Sequence, residues 1–260
     1  MKFKIERAAA PFWVRPLIPI MAVLVTFIVT SVLILAAKAN PFGAYYNLLI
    51  VPLSTKFSAL EVLVKATPLI FTGMAVTFAF TSGYFNIGAE GQPYAGAVAA
   101  TWVGISFPNL PAIVIIPFMI VAGFIAGVAW AFIPAILKVK LKVDEVVTTL
   151  LMNSVVLYFV SFLLNGVWRN PESGAPQSPE ISPAAILFRM IPKSRLHIGF
   201  IMALVVVVIV YIVIKKTPFG LTMRAVGASK AGAQFAGINS NRSMMIAALV
   251  SGGIAGLAGT

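Results

Sequence analysis

The chain has 260 residues, 60% hydrophobic and only 10% charged, against about 45–50% and about 25% in soluble domains. Seven acidic and 19 basic side chains cannot clothe a water-exposed surface, which takes about 25–35% charged residues, so a soluble globular enzyme is excluded. The net charge of +12 does not indicate nucleic-acid binding: a mean hydropathy of +1.00 makes hydrocarbon the natural solvent, and basic residues in such chains gather on cytoplasmic loops.

The expected fold class is all-α, a polytopic membrane helical bundle forming a single domain over 1–260. Lys2, Lys4, Arg7 and Arg15 precede an uncharged run from Leu17 to Ala37, too long for the core of a signal peptide and therefore a retained first span, 17–37. A charge at mid-bilayer costs at least about 2.5–3.5 kcal/mol, so charge-free stretches mark further spans at 66–82, 89–106, 111–137, 146–168, 197–214 and 243–260. Between the third and fourth, Phe107-Pro108-Asn109-Leu110-Pro111 forces a tight hairpin, because two prolines remove donors and oppose helix continuation. Five prolines between Arg169 and Leu196 predict an extended segment, in which Ala184 to Phe188 is either a short interfacial helix against membrane lipid or a plain linker. Thr260 follows helix-like sequence with no interfacial anchor, so the chain is expected to be a fragment that continues.

With the N-terminus taken as inside, alternate loops carry twelve basic residues inside and six outside, which predicts a cytoplasmic N-terminus. The chain has no cysteine, one histidine (His197) and one aspartate (Asp144), leaving no multi-histidine or thiolate metal site, no catalytic residue and no cofactor to expect. Asp144 and Glu145, beside Lys138, Lys140 and Lys142, read as a solvated turn. Glu61 and Lys65 stand four apart in the favourable order and read as an interfacial ion pair. Gly123 and Gly127, and again Gly252 and Gly256, space small residues for close helix packing, within the chain or across a dimer.

Two segments are chemically unusual. Thr81 to Pro93 is polar at membrane depth: Gly83, Gly88 and Gly91 release the backbone, Asn86 is placed to cap a restarting helix, and Glu90 stands early in it near the positive dipole end. This describes a discontinuous helix near 83–92. Such breaks are tolerated where they are buried in protein or line a wet cavity, which makes Asn86, Glu90 and Gln92 candidate substrate-pathway residues; the alternative for Glu90 is a helix-capping carboxylate at the headgroups. Thr217 to Ile238 has no acidic residue and mixes Arg224 and Lys230 with Met223, Val226, Phe235, Ile238 and several glycines. It suits short helices docking on a partner's groove, or an interfacial helix on anionic lipid.

At these two segments the chain resembles the permease subunits of bacterial ABC importers of the nucleoside, simple-sugar and branched-chain amino acid group, nearest to the nucleoside type. Phe85-Asn86-Ile87-Gly88-Ala89-Glu90-Gly91-Gln92 is similar to the permease signature. Arg224-Ala225-Val226-Gly227, Lys230 and Ala236-Gly237-Ile238 are similar to the ATPase-coupling loop, with Ser229 where Asn is frequent and Gly232 where Ala is usual. The resemblance implies a transport subunit without enzyme activity, two permeases around one pathway, cytoplasmic ATPase subunits, an external solute-binding lipoprotein and a bacterial inner-membrane location. Consistent with ATP binding elsewhere, the sequence holds no phosphate-binding Gly-x-x-x-x-Gly-Lys-Ser/Thr loop. A secondary transporter and a membrane-embedded enzyme acting on lipid-linked substrate are the other classes open at this point.

Overall fold

The structure, a computed structural model, describes residues 14–171 and 173–260. Lys2, Lys4 and Arg7, which carry part of the orientation count, lie outside the described residues. The described chain is α-helical, apart from two 3-10 turns and one isolated antiparallel bridge between Arg189 and His197. Its contacts divide it into two compact units, Met1–Ala59 and Leu60–Thr260.

The first unit contains α1 (Val14–Ala36), α2 (Pro41–Leu49) and the single turn α3 (Val51–Ser54). The Asn40 side chain accepts from the Phe42 amide and starts α2, with Pro41 at its first position, where the missing N–H costs nothing. Tyr45 ties α2 to α1: its ring lies 4.9 Å from Phe27 and its hydroxyl donates to the Phe27 carbonyl at 2.7 Å.

The second unit is built on α4 (Lys56–Thr81), α5 (Gln92–Ser106), α6 (Ala112–Leu141), α7 (Glu145–Asn165), α8 (Gly199–Lys216), α9 (Pro218–Ala228), α10 (Lys230–Phe235) and α11 (Ser240–Leu257). Helix limits follow caps rather than charge. Thr55 accepts from the Ser58 amide, so α4 begins at Lys56 and carries Lys56, Glu61 and Lys65 within it, ten residues ahead of the expected start. Likewise α6 runs past Lys138 and Lys140 until Lys142 turns left-handed at φ 57°, its amide bonding back to the carbonyls of Leu137 and Lys138. Two lysines in a last turn favour the negative dipole end. At 30 residues α6 is about 45 Å long, enough for hydrocarbon and both headgroup layers. Asp144 caps α7 by accepting from the Val146 amide at 2.8 Å.

Among the described residues, five helical segments are long and apolar enough to cross a membrane: Leu17–Ala36, α4, α6, α7 and α8. The expected third and seventh spans form α5, with 15 residues, and α11, with 18. Part of the third is taken up by the break before α5, and Ser240, Asn241 and Arg242 dilute the apolar character of α11. The proline-dense segment makes no long helix, only a 3-10 turn at Pro183–Ala185 and a short backbone pairing across residues 188–198.

The α4, α8, α9 and α11 helices share one core, in which Phe71, Phe78, Ala203, Ile214, Met223 and Ala255 are buried. The glycine pairs are resolved as intramolecular: a Cβ on Gly127 would lie 2.2 Å from the Gly252 carbonyl oxygen, and one on Gly256 2.4 Å from that of Gly123. The backbones of α6 and α11 therefore touch. Two charge readings need correction. Glu61 pairs with Arg195 at 3.7 Å rather than with Lys65, because the segment before α8 folds over the start of α4. Glu145 is buried and bonded to Lys138, not solvated, because the first turn of α7 packs back on the end of α6.

Candidate functional site

After Thr81 the chain leaves the helix, passes Gly83 at φ +74°, makes a 3-10 turn at Ile87–Glu90 and restarts as α5 at Gln92. The discontinuity thus lies where the glycines and polar residues stand in sequence. Asn86 occupies the cap position of the 3-10 turn, but its side chain makes no capping bond, which corrects the capping expectation. A better set of partners takes it. Its Nδ2 donates to Gln92 Oε1 at 3.0 Å and to Ser251 Oγ at 2.8 Å, and its Oδ1 accepts from Gln92 Nε2 at 3.1 Å. Ser251 in turn donates to the Ala75 carbonyl at 2.7 Å.

Asn86, Gln92 and Ser251 are all buried, so this amide clasp works at low dielectric, where an unpaired polar group is expensive. It binds the break to α11 and, through Ser251, to α4. A second clamp comes from α7: Asn153 accepts from the Gly91 amide at 3.0 Å and donates to the Ile87 carbonyl at 3.2 Å. Glycine suits the clasp, since a Cβ on Gly88 would stand 3.0 Å from both Asn86 Oδ1 and Gln92 Nε2 and press on them. Of the three expected pathway residues the structure brings Asn86 and Gln92 together, while Glu90 is exposed. Phe85, also exposed, packs edge-on against Phe80 at 5.0 Å.

Tyr84 is buried in the same turn, outside the spanning helices, with its hydroxyl unpartnered. Sequence reading missed Ser251 and Asn153; an isolated Ser or Asn in an apolar helix was the available signal, and neither pairing is local.

The second segment forms α9 and α10. Thr217 caps α9 by accepting from the Gly220 amide, and Ser229 caps α10 by accepting from the Gly232 amide, each at 3.1 Å. The apolar residues expected to meet a partner are largely used within the chain: Met223 is buried in the main core, and Val226 packs with Ala233 and Met244, with Ala225 and Ile238 against them. Burying a single amphipathic face on the chain's own bundle satisfies the pattern that suggested external docking. What remains outside is Arg224, Lys230, Ala236, Gly237 and above all Phe235, which is 96% exposed.

Residues 58–260 match the family described as the branched-chain amino acid transport system permease component. The chain belongs to this permease family. The permease is 35% identical to the glucose ABC transporter permease protein of Haloferax volcanii, over 97% of its own length and 69% of that relative. It is 32% identical to the nucleoside ABC transporter permease protein of Lactococcus lactis, over 94% of its own length and 70% of that protein. It is 34% identical to the guanosine ABC transporter permease protein of Bacillus subtilis, over the same shares of 94% and 70%. No solved structure matches it. The permease is thus a multi-pass membrane transport component, and a membrane-embedded enzyme is set aside.

Proposed function

We propose that this permease lines the solute pathway of an ATP-driven importer for nucleosides or related sugars. The observation that carries the reading is the helix break pinned from behind by the Asn86–Gln92–Ser251 clasp while Glu90 remains exposed at it. A break held this firmly sets a carboxylate and the exposed Phe85 ring at membrane depth without leaving the backbone of the break unpaired. Relatives named for glucose, nucleosides and guanosine share a solute rich in ring hydroxyls, which donate well to a carboxylate.

ATP hydrolysis then takes place on separate cytoplasmic ATPase subunits, two permease chains enclose the pathway, and an external solute-binding lipoprotein delivers the solute. The exposed tip of α10, with Phe235 between Lys230 and Gly237, supplies an aromatic anchor of the kind that dominates interfaces, and Arg224 is exposed on α9. A secondary transporter would instead take its energy from an ion gradient.

The test is uptake of radiolabelled nucleosides and hexoses into proteoliposomes holding the full-length permease with its ATPase and binding protein. Uptake is expected to require ATP and to survive collapse of ion gradients. Glu90→Gln should lower uptake at least tenfold with unchanged membrane insertion, the loss of about 1.4 kcal/mol of solute interaction. Uptake driven by a gradient alone would overturn the importer reading, and full uptake by Glu90→Gln would return that carboxylate to a capping role.

A further inference from the structure

The two unusual sequence segments, some 140 residues apart in the chain, touch at Gly83 and Gly227. Gly227, on the last turn of α9, lies against the turn that begins the helix break: a Cβ there would stand 2.3 Å from the Thr81 carbonyl oxygen and 3.3 Å from the Gly83 amide nitrogen. From the other side, a Cβ on Gly83 would meet the Gly227 Cα at 3.4 Å. The contact is therefore backbone on backbone, with no flexible side chain between the partners to absorb a displacement. Gly83 also has φ +74°, so this turn is held in a conformation that side chains oppose.

On either side the linkage is stiff. The exposed α10 is packed on α9 and on the start of α11 through the buried Val226, Ala233 and Met244. Further along α9, Phe219 packs on Phe78 of α4 at 6.3 Å between ring centroids. Beyond the contact, Gly83 is followed by the buried Tyr84 and then by Asn86, the centre of the amide clasp.

We infer that Gly227 is a positioning residue through which movement of α10 and α9 is delivered to the 82–91 break, the absence of its side chain being what seats α9 on the Thr81–Gly83 turn. This rests on the importer reading, in which the ATPase engages α10. Close-packed backbone transmits a displacement because it has no compressible layer. A methyl group at 227 must lift α9 off the turn, while Phe235 and Arg224 stay free to engage their partner. Gly227→Ala should thus separate ATP hydrolysis from transport, which damage to the docking surface does not do.

The experiment compares wild type, Gly227→Ala and Gly73→Ala in the complete reconstituted complex. Gly73 is a control because a Cβ there meets nothing within 4 Å. Assembly, ATP turnover and solute moved per ATP are measured. Whatever its ATP turnover, Gly227→Ala is expected to lower solute moved per ATP at least tenfold, with the ratio of Gly73→Ala unchanged. An unchanged ratio in Gly227→Ala overturns the joint and leaves the importer reading standing; a wild-type complex that shows no ATP-dependent uptake removes both. Should Gly227→Ala fail to fold, hydrogen exchange on the wild-type complex with and without nucleotide decides. Protection in 218–238 and in 82–91 is expected to change together, and a nucleotide response confined to 218–238 overturns the joint.

Discussion

Asn86 holds its place through three hydrogen bonds in a site without solvent, and its substitution therefore separates two roles. Asn86→Ala strands the Gln92 amide and one side of Ser251, and each buried group left unpaired costs about 1–3 kcal/mol. The variant is expected to unfold at a lower temperature in detergent and to lose protection across 82–91. Glu90→Gln, by contrast, alters an exposed group and should leave the melting temperature alone. If Asn86→Ala melts like wild type, the clasp contributes little to the fold and its polar atoms are free to serve the pathway. At this scale the sequence was legible in residue type but not in partnership. Asn, Gln and three glycines in an apolar stretch announced a break, whereas Ser251 lies 165 positions from Asn86, and no local pattern marks one serine as the partner of an asparagine so far away.

Helices were legible as elements because hydrocarbon admits few alternatives: with no water to bond, a spanning segment must satisfy its backbone internally. Their limits were less so, since charged residues end an apolar run without ending a helix, as Lys56 in α4 and Lys140 in α6 show. The glycine spacing on α6 and α11 predicted close approach without naming the partner, and the structure supplies it as the other helix of the same chain. Gly127→Ala sets a methyl group 2.2 Å from the Gly252 carbonyl and must push the helices apart, a repacking of the kind that typically costs about 1–3 kcal/mol. Gly73→Ala enters open space and removes a glycine from mid-helix, where alanine is favoured by about 0.5–1 kcal/mol. Thermal unfolding in detergent should therefore drop for Gly127→Ala and hold or rise for Gly73→Ala; equal melting of the two would mean that the α6–α11 seam yields easily.

Across the second unit, contacts sort the helix ends into two groups, and the orientation we propose in the membrane rests on their charge. The start of α4 meets the segment before α8 through Glu61 and Arg195, while the end of α4 meets Gly227 beyond α8, so α4 and α8 run parallel. Ala135 of α6 packs with Tyr84 and Ala79, which places the end of α6, and with it the start of α7, beside the end of α4. One group therefore carries Lys138, Lys140, Lys142, Lys215, Lys216, Arg224, Lys230 and Arg242; the other carries Lys65, Arg169, Arg189, Lys193 and Arg195. Eight against five supports the proposal that the first is cytoplasmic, the side from which the proposed ATPase would reach α10, and this ratio does not draw on the residues before Val14. The cysteine-free chain lends itself to a direct test. Cysteines placed singly by Lys140→Cys, Ala175→Cys and Lys216→Cys, all at exposed positions, are offered to a membrane-impermeant maleimide in intact and then in permeabilised cells. Only Ala175→Cys is expected to react in intact cells, with the other two reacting after permeabilisation. Labelling of Lys216→Cys from outside would reverse the orientation and place α10 on the wrong face for any cytoplasmic ATPase.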